Sequence, residues 1–386
     1  MEKITAVNSS VIKWAREVSH YSISDVSEYL DKDPKIILDW ESGVDYPTYA
    51  QLEKLSELYR KPLAVFFFPD VPKIQSLKAS CRTLPESAYS KLSFKIIRKM
   101  NEARAMQLNL CELHNNVNPA KVNITKLVTP KNFNDLLVSI RNILGVSLQE
   151  QKRNRKIDDA FEMWRERFVM NGVYVFKDAF RDDSISGFCL YDNEFPVIYI
   201  NNSMSFARQI FTLFHELYHL ISHTSGIDKI DDDYFSDLNG GRLNIERDCN
   251  KFAGAFLVPP DDLLNEVKGK YIDDDLVNKL AILYKVSRDV ISRSLLNLGL
   301  ITNEEYEEKH AEYVLDALRA KDIKKEKSGG DSYYTKISYL GYGYLHLVFD
   351  KYRKNQIDIY QLSEYTKTKV EHLPKLEMKW GWRVRR

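Results

Sequence analysis

Apolar positions in the first 70 residues recur at helical spacing and are interrupted by short polar turns. Val11, Trp14, Ala15 and Val18 follow i, i+3, i+4, i+7 and predict a helix with one apolar face. Ser22, with Asp25 three residues on, has the pattern of a capping box and opens a second helix with Val26 and Leu30 turned inward. Pro34 starts a third helix carrying Ile36, Ile37 and Trp40 on its buried side, and Gly43 ends it. Pro47 opens a fourth with Leu52, Leu55 and Leu58 at helical spacing, and the segment closes on Phe66-Phe67-Phe68-Pro69. Residues 71–165 read as a helical connector, with helices from Phe94 to about Asn115 and from Asn132 to Leu144. The period then changes. Gly172 to Phe176, Ile185 to Tyr191 and Pro196 to Asn201 are three short β-type runs separated by turns, and a helix follows from near Met204. Two further helices, Leu276 to Tyr284 and Val290 to Leu298, are expected to pack as a pair, although they also scan as a helix-turn-helix. Lys324 to Asp331 reads as a flexible linker. The pattern predicts a mainly α protein with a small β-sheet (α+β), in segments 1–70, 71–165, 166–300 and 301–386.

Composition narrows the setting. The 386 residues are 44% hydrophobic and 29% charged, an ordinary mixture for a chain of several domains. The longest strongly apolar run, Leu63 to Phe68, is far short of the roughly 20 residues of a membrane span. The N-terminal stretch is charged throughout and lacks the apolar core of a secretory signal, so a cytoplasmic protein without a membrane partner is expected. Cys81, Cys111, Cys189 and Cys249 lie far apart with no CxxC pair, which argues against a disulfide framework or a zinc knuckle. The net charge of +1 hides a division. Residues 1–70 carry eight Lys and Arg against twelve Asp and Glu, whereas residues 321–386 carry fifteen against eight. Partners are to be sought by segment.

The densest chemistry is at Phe211 to His223, which contains His215-Glu216-Leu-Tyr-His219. On a helix, side chains at i and i+4 stand one above the other, so both imidazoles can reach one ion. Imidazole nitrogens suit zinc, and Glu216 beside the first ligand is placed to take a proton from an attacking water. HExxH arises by chance in about one chain in a hundred of this length, so its context matters. At about 100° per residue, Leu213, Phe214, Leu217, Leu220 and Ile221 fall on one arc. His215, Glu216, His219 and His223 fall on the other, as on a helix packed behind a cleft. A catalytic zinc takes three protein ligands. Ser225 stands where a metzincin would place a third histidine, and His223 is one turn too far along the axis. The third donor is therefore sought among Asp228, Asp231, Asp232, Asp233, Asp237 and Glu246.

HELYH together with Glu246-Arg-Asp-Cys-Asn250-Lys-Phe252-Ala253 and Phe256-Leu257-Val-Pro259, beginning 27 residues after His219, resembles the ImmA/IrrE family of zinc metallopeptidases over about residues 165–300. The resemblance implies Zn2+ as cofactor, His215, His219 and Glu246 as its ligands, and Glu216 as general base. It further implies a specific protein substrate, such as a helix-turn-helix repressor or neighbouring-gene product, cleaved in a stress, DNA-damage or mobile-element circuit. Cys249 stands where the family usually has Ala and is expected to pack as a small buried thiol; Tyr218 replaces a smaller residue and could narrow access. No role is assigned to His223.

Residues 9–69 resemble the XRE-type helix-turn-helix family in the Asp39 to Gly43 turn, in Pro47-Thr48 with Leu52 and Leu55, and in the closing Pro62 to Pro69 run. That resemblance implies a five-helix domain, with Lys32 and Lys35 as candidate phosphate contacts. Asp31, Asp33 and Asp39 surround them, so DNA and a protein partner stay equally open. The basic C-terminal segment interleaves charge with ten Tyr and Trp, most of them expected in a core, and its end, Lys379 to Arg386, is a second candidate for nucleic-acid contact. The alternative to a peptidase is a DNA-binding regulator or antitoxin-like partner with a structural or vestigial zinc site.

Overall fold

The computed structural model describes residues 2–72, 92–126, 132–153, 156–229, 240–325 and 331–384. Most of the linker, Asp231 to Asp233, Asp237, Cys81 and the last two arginines lie outside the described residues. The chain forms two compact units, Met1–Asn109 with Phe180–Asp182, and Leu110–Ala179 with Asp183–Arg386.

The first unit begins with α1 (Ser9–Val18), α2 (Ile23–Leu30), α3 (Pro34–Ser42) and α4 (Tyr49–Tyr59). Each starts where a side chain can accept from an orphan backbone N–H. Asn8 caps α1, Ser22 and Asp25 form the expected capping box on α2, Asp33 caps α3, and Thr48 with Gln51 makes a second box on α4. Gly43 ends α3 at φ +75°, a conformation that favours glycine. Val11, Ile12, Ala15, Val26, Ile37, Leu52, Leu55 and Phe66 are fully buried around Trp40. Arg16 on α1 makes a bidentate ion pair with Glu41 on α3 at 2.7 and 2.9 Å, so one of the acidic charges of α3 is neutralised internally. After α4 the chain makes a short 3₁₀ segment, Leu63–Phe67, between Pro62 and Pro69. Two prolines this close leave no room for a longer helix.

The next helix, α5 (Phe94–Leu113), is followed by α6 (Phe133–Leu144), α7 (Leu148–Arg153) and α8 (Ile157–Met170). Strands β1 (Tyr174–Asp178), β2 (Ile185–Leu190) and β3 (Val197–Asn201) form where the three β-type runs predict them. A fourth strand, β4 (Ile227–Lys229), carries the candidate donor Asp228 and has no counterpart among the β-type runs. Its three residues are too short for a pattern, and pairing with β2 defines it. The sheet order is β1-β3-β2-β4, with β1 and β3 parallel and β2 antiparallel to both neighbours. The helices α9 (Phe206–Ile221), α10 (Gly240–Leu257), α11 (Pro260–Val267), α12 (Asp274–Tyr284), α13 (Arg288–Asn297) and α14 (Asn303–Lys325) complete this region. Leu280, Tyr284, Ile291 and Leu295 place α12 and α13 in its core as a packed pair.

Both faces of the sheet are covered, which is why β2 and β3 are buried along their whole length. Val175, Cys189, Ile198 and Ile200 join the core built by α8, α9 and α10. Phe176 stacks its edge on Tyr344, 5.2 Å away, in the C-terminal helices α15 (Ser332–Leu340), α16 (Tyr342–Arg353), α17 (Ile359–Thr366) and α18 (Leu373–Val384). Tyr344, Tyr365 and Trp380 are buried, so these members of the basic aromatic segment are core, as expected, while Tyr334 and Tyr360 remain exposed. Lys379 and Trp380 also depart from the expected exposed basic end. Trp380 stacks on Phe349 at 5.2 Å and Lys379 pairs with Asp331. Among the described residues no helix is long and apolar enough to cross a membrane.

One buried cation fastens this second layer. Arg165 of α8 donates to Val175 O at 2.8 Å, Ser338 O at 2.6 Å and Tyr339 O at 2.8 Å, satisfying the carbonyl end of α15. Gly341 follows at φ +85°, and a Cβ there would lie 2.6 Å from Arg165 Cζ. Gly341→Ala should therefore lower the urea stability of the C-terminal helices by about 2 kcal/mol, followed by tryptophan fluorescence. Gly381→Ala, on a helix with open space at its Cβ, should cost no stability and raise it by up to about 1 kcal/mol.

Candidate metal centre

The centre is made by two helices that face each other with opposite chemistry. Ser205 caps α9, whose Leu213, Phe214, Leu217 and Leu220 are fully buried. His215, Glu216 and His219 are only 1%, 0% and 2% exposed, so the histidine face of α9 is covered rather than an open front. On α10, Phe252, Ala253, Phe256 and Leu257 enter the same core, and Phe214 stacks on Phe256 at 4.4 Å. Glu246, Cys249 and Asn250 share the remaining face of α10, at i, i+3 and i+4. The second motif is thus a packing pattern on one side of a helix and a set of polar donors on the other.

Glu246 Oε2 lies 3.1 Å from His215 Nε2, and Oε1 lies 3.3 Å from His219 Nε2. The far nitrogens are tied down. His215 Nδ1 is 3.0 Å from Asn250 Oδ1, which accepts only. Thr224 Oγ1 donates to His219 O at 3.0 Å and so accepts from His219 Nδ1 at 3.3 Å. Both rings therefore carry hydrogen on Nδ1 and turn Nε2 toward the carboxylate. Where Nε2 is unprotonated, its lone pair and the anion repel in a buried site unless positive charge lies between them. His219 Nε2 makes no hydrogen bond. Metal–nitrogen and metal–oxygen bonds of 2.0–2.2 Å imply tetrahedral edges of about 3.4 Å, close to the spacing found. The donor set fits a metal ion.

Glu216 sits beside Cys189 of β2. Burial, the Glu216 carboxylate and a hydrogen bond to it push the Cys189 thiol well above its ordinary range. Cys189 Sγ also accepts Gly226 N–H at 3.2 Å. Gly226 presses on the site, since a Cβ there would fall 2.3 Å from His219 Cδ2. Cys249 Sγ, expected to pack as an inert thiol, lies with one nitrogen from each of His215 and His219 in a group whose members are all within 4.8 Å of one another.

The remaining candidates lie elsewhere. His223 follows the end of α9, adopts φ +56° and is 3.0 Å from Thr125 O. The shared arc expected for it fails because the helix stops at Ile221. Ser225 Oγ accepts from Tyr191 N at 2.8 Å. Tyr218 packs on Phe252, ring centroids 5.3 Å apart. Lys32 and Lys35 are exposed, Lys35 in the first turn of α3. Sequence reasoning gave no role to Asn250, Thr224, Gly226 or Cys189. Only Asn250, one turn beyond Glu246, carried a helical-spacing signal.

Residues 171–296, about a third of the chain, match the family model of the IrrE N-terminal-like domain, a peptidase family. No curated protein matches the chain. The match supports the ImmA/IrrE relationship and suggests a metallopeptidase-type function, and it spans both helices of the centre.

If Asn250 and Thr224 fix the two imidazoles, Asn250→Ala and Thr224→Val should each weaken metal binding about 10–100-fold in competition with a chromophoric chelator. Unchanged affinity in both would contradict that role.

Proposed function

We propose that the chain is a zinc-dependent endopeptidase that cleaves a specific regulatory protein. The observation that carries this reading is the Glu246 carboxylate facing two Nε2 nitrogens whose opposite nitrogens are already bonded. His215, His219 and Glu246 would hold the ion, and nitrogen with carboxylate donors in a compact set suits zinc. Zinc, when bound, supplies Lewis acidity toward a peptide carbonyl. Glu216 takes the proton of the attacking water and returns it to the leaving amine.

The first unit, read as an XRE-type helix-turn-helix domain on its α2–α3 arrangement, would bring the enzyme to its target. Leu38 and Val44 are 51% and 75% exposed, with exposed Asp31 and Asp33 ahead of α3. An apolar, acidic surface supports a protein partner over phosphate, which Lys and Arg would bind. The substrate class follows the family resemblance: a repressor or neighbouring-gene product.

Co-expression with candidate regulators tests the chemistry. Glu216→Gln should retain about one zinc per chain while cleavage falls by roughly 10²-fold or more; equal cleavage would remove Glu216 from its role. His215→Ala should lose the zinc. For the first unit, Lys35→Ala should change duplex-DNA affinity by less than about twofold. A clear loss accompanied by a salt slope reduced by about one would establish a phosphate contact instead.

A further inference from the structure

The donors around the two imidazoles do not end with Glu246. Cys249 stands three residues beyond it on α10, on the same face, and is fully buried. Its Sγ and one nitrogen from each histidine form a cluster within 4.8 Å, all three residues buried. His219 Nε2 is 2% exposed with its residue and makes no hydrogen bond even though Glu246 Oε1 is 3.3 Å away. The carboxylate therefore does not fully satisfy the nitrogen that faces it. Cys189, the other buried thiol nearby, is engaged differently, by Gly226 N–H and Glu216.

We propose that Cys249 gives a sulfur donor to the ion held by His215, His219 and Glu246. The resting centre then has four protein donors and no open position. The inference rests on the metal-binding reading above. Sulfur and nitrogen ligands at about 2.3 and 2.0–2.1 Å from zinc stand about 3.6 Å apart, so the two histidines and Cys249 have to draw together by up to about 1.5 Å. As the zinc–sulfur bond forms, the thiol proton passes to solvent, and no oxidant or reductant is involved. A thiolate donor biases the site toward zinc over magnesium, calcium or manganese. Four protein donors are the arrangement of a closed site, whereas a catalytic one keeps a position for water or substrate. Cys249 would thus guard the place a peptide carbonyl must take, and a family member with Ala at this position would lack the guard.

Zinc-edge X-ray absorption on the full chain loaded with one equivalent of zinc tests this directly. The expected spectrum has one sulfur at about 2.3 Å and nitrogen or oxygen at about 2.0–2.1 Å. Cys249→Ala should keep the zinc and lose the sulfur, and Cys189→Ala should keep both. A shell of nitrogen and oxygen alone in the unmodified chain overturns the assignment of Cys249 and leaves the metal reading standing. Sulfur that persists in Cys249→Ala, or vanishes in Cys189→Ala, overturns it as well. Failure of the unmodified chain to hold zinc overturns the metal reading itself. The unmodified chain decides the sulfur question even if a variant fails to fold.

Discussion

A carboxylate held opposite two imidazole nitrogens, inside a helix pair that is otherwise apolar, is the constraint on which the second unit depends. Burying such groups without compensation costs several kcal/mol each. The surroundings supply that compensation at each step. Asn250 and Thr224 take the Nδ1 hydrogens, and the Phe214–Phe256 stack with Trp164 edge-on at 4.9 Å holds α9 and α10 at a fixed separation. The carbonyl end of α10 is closed by Gln151, which donates to Leu257 O and Tyr284 O at 2.8 and 2.9 Å. Arg141 closes the neighbouring carbonyl at Phe256 and lies 4.2 Å over its ring, and burial lowers its pKa to about 10. The polar groups that flank the centre are therefore tied down on their far sides, and the nitrogens and the carboxylate face one another, where a cation is called for.

Much of this was legible before any coordinates, and the reasons are particular. Capping residues are local, so Ser22 with Asp25 and Gly43 marked helix ends that the fold reproduces. Short β-type runs located β1, β2 and β3, whereas β4 has three residues and exists only through its partner. HExxH spacing brought His215 and His219 to one side of α9. What periodicity could not reveal was enclosure: the histidine arc was read as the front of a helix behind a cleft, because a helical wheel does not contain the helix that covers it. His223 was grouped with the site for the same reason, since the wheel continues past a helix end that the chain does not.

Contacts made across long stretches of sequence were the hardest to read. Thr224 and Gly226 sit in a turn with no motif, yet one binds His219 Nδ1 and the other leaves no space for a side chain against its ring. The C-terminal aromatics had two possible uses, and the sheet decides between them for most: β1 needs its second face covered, and Phe176 meets Tyr344 there. Arg165 then secures that layer through three carbonyls. The divided charge of the chain has a related meaning. Some of it is internal, as in Arg16 with Glu41 and Lys379 with Asp331, and does not face a partner.

The central claim is that the gap between Glu246 and the two imidazoles is a metal site. A crystal of the full chain grown with zinc, measured on both sides of the zinc absorption edge, tests it most directly. The account predicts an anomalous peak about 2.0–2.2 Å from His215 Nε2, His219 Nε2 and a Glu246 oxygen. A map with no peak there, in which Glu246 still pairs with protonated histidines, would contradict it.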